Sequence, residues 1–188
     1  MMPLPPGTDM DRNEQDDKPF NLLFVCTGNT CRSPMAEALA RSLARRRGLD
    51  RMTVKSAGVA ALPGMEAAGG AVRAAERRGL KLHDHRSRPL DPELATWADL
   101  ILTMSPNHLP AVVATGGGDR VAVITSFIGS LAGPDEEHEG RGLPSTGVPD
   151  PFGGPDELYE LTMDELERLV DQVLDRLAPV VEEEETDS

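Results

Sequence analysis

One stretch constrains this chain more than any other: Leu22-Leu23-Phe24-Val25-Cys26-Thr27-Gly28-Asn29-Thr30-Cys31-Arg32-Ser33. The apolar run before Cys26 reads as a strand buried on both faces of a parallel sheet. Gly28 and Asn29 tolerate the dihedrals of a tight turn. From Arg32 the chain reads as a helix through Met35, Leu39 and Leu43 to a basic last turn before Gly48. A strand–turn–helix aims backbone N–H groups and the positive end of a helix dipole at one small volume. Cys26 and Arg32, with five residues between them, then place a thiol and a guanidinium on either side of an anion-sized hollow. Thr27 to Ser33 form a phosphate cradle, with Cys26 at its floor.

The remaining pattern alternates strands with helices. Strands are expected at 20–25, 52–57, 99–104 and 120–124, and helices at 65–78, 91–97 and 105–114. A last helix starts at Asp156, and Thr162-x-x-Glu165 reads as a capping box that interrupts it. This alternation predicts one α/β domain with a parallel sheet and helices on both faces. Ligands bind such sheets beyond the carboxyl ends of the strands, where Cys26 lies. The domain is expected over 19–180, between a disordered acidic tail at 1–18 and an acidic tail at 181–188. Residues 129–149 read as a long loop, of the kind that is functional or mobile.

Charge narrows the classes of partner. The net charge of −13 sits mostly in three places: −3 in residues 1–19, −3 in 135–141 and −5 in 182–188. No basic stripe offsets it, so nucleic-acid binding is disfavoured. No apolar run is long enough to span a membrane, and the N-terminus has no signal-like character. A cytoplasmic protein is expected, and a monomer. Its two cysteines then point to thiol chemistry rather than a disulfide framework.

A cysteine attacks as its thiolate, which a helix N-terminus and a neighbouring cation favour. Ser33 can donate its hydroxyl to the Cys26 sulfur, and Arg32 can hold two phosphoryl oxygens. A phosphocysteine also needs an acid for the leaving group and a base for water. Asp150, stiffened by Pro151 at the end of the long loop, offers both. His83, Asp84 and His85 lack further metal ligands and read as a loop anchor. His108 and His138 give no signal. No metal and no cofactor are expected.

Five segments together resemble the low-molecular-weight protein tyrosine phosphatase family: Cys26 to Pro34, Ser56-Ala57-Gly58, His85 to Arg88, Ala98 to Met104, and Asp150 to Gly154. The resemblance spans roughly residues 20–178 and implies a four-stranded parallel sheet flanked by helices. It also implies phosphorylated protein substrates, with Cys26 as nucleophile, Arg32 as phosphate clamp, and Asp150 as general acid and then base. Asn29 and Ser33 would support the loop. Tyrosine-directed members usually carry an aliphatic residue where this chain has Thr30, and threonine is seen in the protein arginine phosphatase branch. A hydroxyl suits phosphoguanidinium and apolar surface suits phenol, so phosphoarginine is the expected substrate and phosphotyrosine the alternative. Phe152 stands where many tyrosine-directed members place Tyr, and would wall the slot.

Cys31 lies in the same cradle and can form a reversible disulfide with Cys26, or simply pack beneath the loop. The same pair opens a different class, arsenate reduction or thiol redox exchange. A relay of that kind would want another exchange cysteine, which the chain lacks. A phosphate-binding module without catalysis is the third class; it predicts that Cys26→Ser changes no function.

Overall fold

A computed structural model of the chain describes residues 18–129 and 147–182. β1 (Phe20–Cys26) is an inner strand of a four-stranded parallel sheet. β2 (Met52–Gly58), β3 (Leu100–Thr103) and β4 (Val121–Val123) complete it in the order β2-β1-β3-β4. Leu22 pairs with Val54 on one side and Leu100 on the other. The continuous apolar run of β1 has a simple cause. Leu22, Phe24 and Cys26 face a core shared with Met35, Leu39, Met163 and Leu166, while Leu23 and Val25 face one shared with Leu94, Ile101 and Val112. Both faces are covered, so an alternating pattern would have buried polar groups.

Helix α1 (Arg32–Arg47) follows β1 through the short loop and runs to the predicted end. α2 (Gly69–Glu76) starts later than the periodicity of 65–78 predicts, and stops earlier. The backbone of 65–68 is committed elsewhere: Met65 exchanges hydrogen bonds with Ser87, and the Ala68 N–H donates to Thr30 O. α3 (Pro92–Trp97) is capped by Asp91, whose carboxylate accepts the Leu94 N–H at 2.7 Å. A 3-10 turn at Pro106–His108 leads into α4 (Leu109–Ala114). α5 (Ile124–Gly129) was not legible: its β-branched start reads as strand, yet Ile124, Thr125 and Ile128 are buried as a helix.

α6 (Asp156–Glu182) is one helix and is not interrupted at the expected capping box. The Thr162 hydroxyl instead donates back to Leu158 O at 2.8 Å, satisfied within the helix. Its apolar stripe covers α1, and its acidic face takes Arg47, Arg73, Arg77 and Arg78 in ion pairs. Residues 1–17, 130–146 and 183–188, which hold most of the predicted acidic tails and loop, lie outside the described residues. Among the described residues no helix is long and apolar enough to cross a membrane.

Candidate active site

The end of β1 delivers Cys26 to the bottom of the loop, where it is 2% exposed. Loop closure depends on β2: a Cβ on Gly58 would lie 2.5 Å from Thr27 O and 2.9 Å from the Asn29 N–H nitrogen. Asn29 carries the positive φ of the turn, 54°, and Gly28 does not. That strained residue is held from every side. Its amide donates to Ser33 Oγ and Ser56 Oγ, each at 2.9 Å, and its Oδ1 accepts the Arg88 N–H at 2.9 Å. His85 Nε2 donates to its carbonyl at 2.7 Å, so the predicted loop anchor is real. Behind Ser56 stands buried Glu37, accepting the Ser56 hydroxyl at 2.6 Å. Glu37 carries no sequence signal of this role, because it sits among ordinary helix-forming residues.

Around the sulfur the donors converge. The Asn29 N–H points to Cys26 Sγ at 3.3 Å, and Ser33 Oγ lies 2.9 Å away. Helix α1 starts with no side-chain cap and no acidic residue in its first turn. Its free N–H groups are therefore available to an anion. Arg32, 5% exposed, donates to Val148 O at 3.1 Å and to Asp150 Oδ2 at 2.5 Å. Its Nε is buried with no hydrogen-bond partner. A buried guanidinium N–H left unpaired is costly, and a phosphoryl oxygen in the cradle would satisfy it.

Asp150 reaches this site because its segment is pinned to the end of β3. The Val148 N–H donates to Met104 O at 2.7 Å. Gly147 has φ 83° and would drive a Cβ to 2.3 Å from Met104 O. The Asp150 carboxylate, 46% exposed, thus stands at the mouth while Cys26 lies at the floor. Phe152 is 72% exposed, and its N–H donates to Asp150 Oδ1. Thr30 is half-buried at the loop, its Oγ1 3.7 Å from Cys31 Sγ.

The second thiol is different in kind. Cys31 packs beneath the loop, with Tyr159 OH 3.9 Å from its sulfur, and burial pushes its thiol pKa up.

One further residue belongs to the site. Thr27 Oγ1 lies 3.0 Å from Nε2 of buried His108. The Ser105 N–H donates to His108 Nδ1 at 3.2 Å, which places the ring proton on Nε2. His108 therefore donates to Thr27. Burial, and then the Arg32 charge, pull its imidazole down to about 4, so it is neutral at physiological pH. A signal existed in Ser105-Pro106-Asn107-His108, which has capping-box spacing with His as the returning side chain. His83 pairs with Glu76 at 2.6 Å, away from these groups. Among the described residues no set of three His, Cys, Asp or Glu could hold a metal ion.

Comparison with known proteins shows the family. Residues 21–184 match the family described as low molecular weight phosphotyrosine protein phosphatase. The chain is 40% identical over 160 residues to a protein-arginine-phosphatase of Bacillus subtilis, covering 84% of this chain and 97% of that protein. It is 33% identical to the Escherichia coli low molecular weight protein-tyrosine-phosphatase Etp, covering 85% of this chain and 96% of that one. The solved YwlE arginine phosphatase from Geobacillus stearothermophilus superimposes with a TM-score of 0.75 at 34% identity, covering 90% of this chain and 100% of that one. A YwlE variant that carries a phosphorylated active-site serine superimposes with a TM-score of 0.73 at 39% identity, covering 85% and 96%.

Proposed function

Since the chain belongs to the low molecular weight phosphotyrosine protein phosphatase family, we propose that it removes phosphate from protein side chains, phosphoarginine ahead of phosphotyrosine. The reaction runs through a phosphocysteine on Cys26. The observation that carries this reading is the pairing of buried Arg32 with Asp150 at the end of the loop that carries Cys26. A phosphoryl group seated on the loop takes the α1 N–H groups and the Arg32 guanidinium, with its unpaired Nε. Asp150 is then released to the mouth, beside the leaving group.

In the first step Cys26 Sγ attacks phosphorus in line, the S–P bond forms and the P–N bond of phosphoarginine breaks. Asp150 gives its proton to the departing guanidino nitrogen. In the second step water attacks phosphorus, Asp150 accepts its proton, and the sulfur leaves with the Ser33 hydroxyl donating to it. Arg32 and the loop amides carry the charge of the transferring phosphoryl group through both steps.

The preference for phosphoarginine is supported by Thr30 at the loop and by similarity to proteins named as arginine phosphatases. The mechanism is tested by trapping. Asp150→Asn should accumulate phosphate on Cys26, read by mass spectrometry of acid-quenched enzyme mixed with phosphoarginine. Its absence at every mixing time, with turnover intact, would contradict the covalent route.

A further inference from the structure

Two sets of cations on this protein contrast. Arg47, Arg73, Arg77 and Arg78 are each matched to carboxylates of α6, and Arg32 to Asp150. Arg45, Arg46, Lys81 and Arg88 are exposed and have no ion-pair partner among the described residues. All four line one groove of about 690 Å³ between α1 and the segment 79–88, joined there by Arg41 and Arg86. The carboxylates on its walls are Glu37, already engaged with Ser56 and Arg41, and Asp84. A second cavity of about 440 Å³ shares Glu37, Arg41, Arg45 and Arg88 and adds Lys55 and Asp50, so the basic channel continues along β2. Arg41 and Arg86 pair with Glu37 and Glu66, and the four unmatched cations in one concavity make a local positive potential in a chain of net charge −13.

We propose that this groove is a docking site for an acidic polypeptide segment, a run of Asp or Glu side chains lying along α1. Guanidinium groups spaced along a helix face suit carboxylates on an extended chain, which they bind bidentately. A nucleic acid is the poorer fit. No Phe, Tyr or Trp lines either cavity, so bases lack the large aromatic platforms that single-stranded nucleic acid stacks on. The site is independent of the phosphate loop's chemistry. It lies behind that loop, since His85 and Arg88 contribute to the groove wall and also hold Asn29.

Fluorescence anisotropy of a labelled polyglutamate peptide, titrated with the full-length protein at about 0.15 M ionic strength, tests the assignment. Saturable binding is expected, weakened about tenfold in the variant carrying Arg45→Ala, Arg46→Ala and Lys81→Ala, with turnover of free phosphoarginine unchanged. Those three side chains touch no catalytic group, so retained turnover also certifies the fold. Equal peptide affinity in the variant would overturn the proposal, as would no saturable binding. Tighter competition by a single-stranded oligonucleotide or by inorganic polyphosphate of matched charge would overturn the polypeptide assignment.

Discussion

His108 Nε2 and Thr27 Oγ1 lie 3.0 Å apart, and the imidazole is the donor. Its proton occupies one lone pair of the Thr27 hydroxyl, leaving that hydroxyl's own hydrogen free for another acceptor. A neutral buried histidine thus sets the polarity of a loop side chain. His108→Phe should leave Thr27 unoriented and lower kcat more than it raises KM. His108→Gln, whose amide can donate in the same direction, should recover part of the loss. Equal kinetics for the three proteins would remove His108 from the site.

The same residue gives a stability prediction with a definite sign. His108 binds its proton at about 4 in the fold and near 6.5 when unfolded. Between those values the unfolded chain holds more protons, so stability falls as pH drops from 6.5 towards 4. The full contribution is present above that window and amounts to about 3 kcal/mol. Urea unfolding across this range should show a shallower acid loss in His108→Gln than in the parent. Parallel profiles would contradict the assignment.

Asn29 combines a strained backbone with a bonded side chain, and two substitutions separate them. Asn29→Gly relieves the backbone, so it should be about 1 kcal/mol more stable than Asn29→Ala. Neither should recover kcat, because both lose the bonds to Ser33 and Ser56. A fully active glycine variant, measured beside its unfolding curve, would show that the network is dispensable.

Oxidation tests the second thiol. Peroxide oxidises Cys26 to the sulfenic acid, and we propose that the Cys31 thiol attacks it, forming the S–S bond and releasing water. Activity lost to mild peroxide should return with dithiothreitol in the parent and remain lost in Cys31→Ser. Full recovery in that variant would exclude the disulfide as the protective state.

The site's local half is readable from residue order, and of its long-range half only Asp150 is. β1, the loop and α1 are written in adjacent signals: an apolar run, a turn and a helical period. Cys26, Arg32 and Asp150 followed from chemistry attached to that frame. The misses were decided by tertiary contacts. α2 begins late because Ala68 is bonded to Thr30, and α6 stays whole because Thr162 bonds back to Leu158. His108 and Glu37 matter only because the fold brings them to Thr27 and Ser56. Propensity carries no record of such pairings.

We propose that the substrate preference rests on Thr30. Thr30→Ile replaces a hydroxyl with apolar surface at the loop, so the ratio of phosphotyrosine to phosphoarginine kcat/KM should rise at least about tenfold, as one lost polar contact and one gained apolar contact allow. An unchanged ratio would place specificity elsewhere, with Phe152 the next residue to vary.

The central claim is tested most directly by phosphate release from matched phosphoarginine and phosphotyrosine peptides, with Cys26→Ser as the blank. Faster release from phosphoarginine, abolished in the blank, is the predicted result. Faster release from phosphotyrosine would contradict the substrate assignment while keeping the mechanism, and release that survives Cys26→Ser would contradict both.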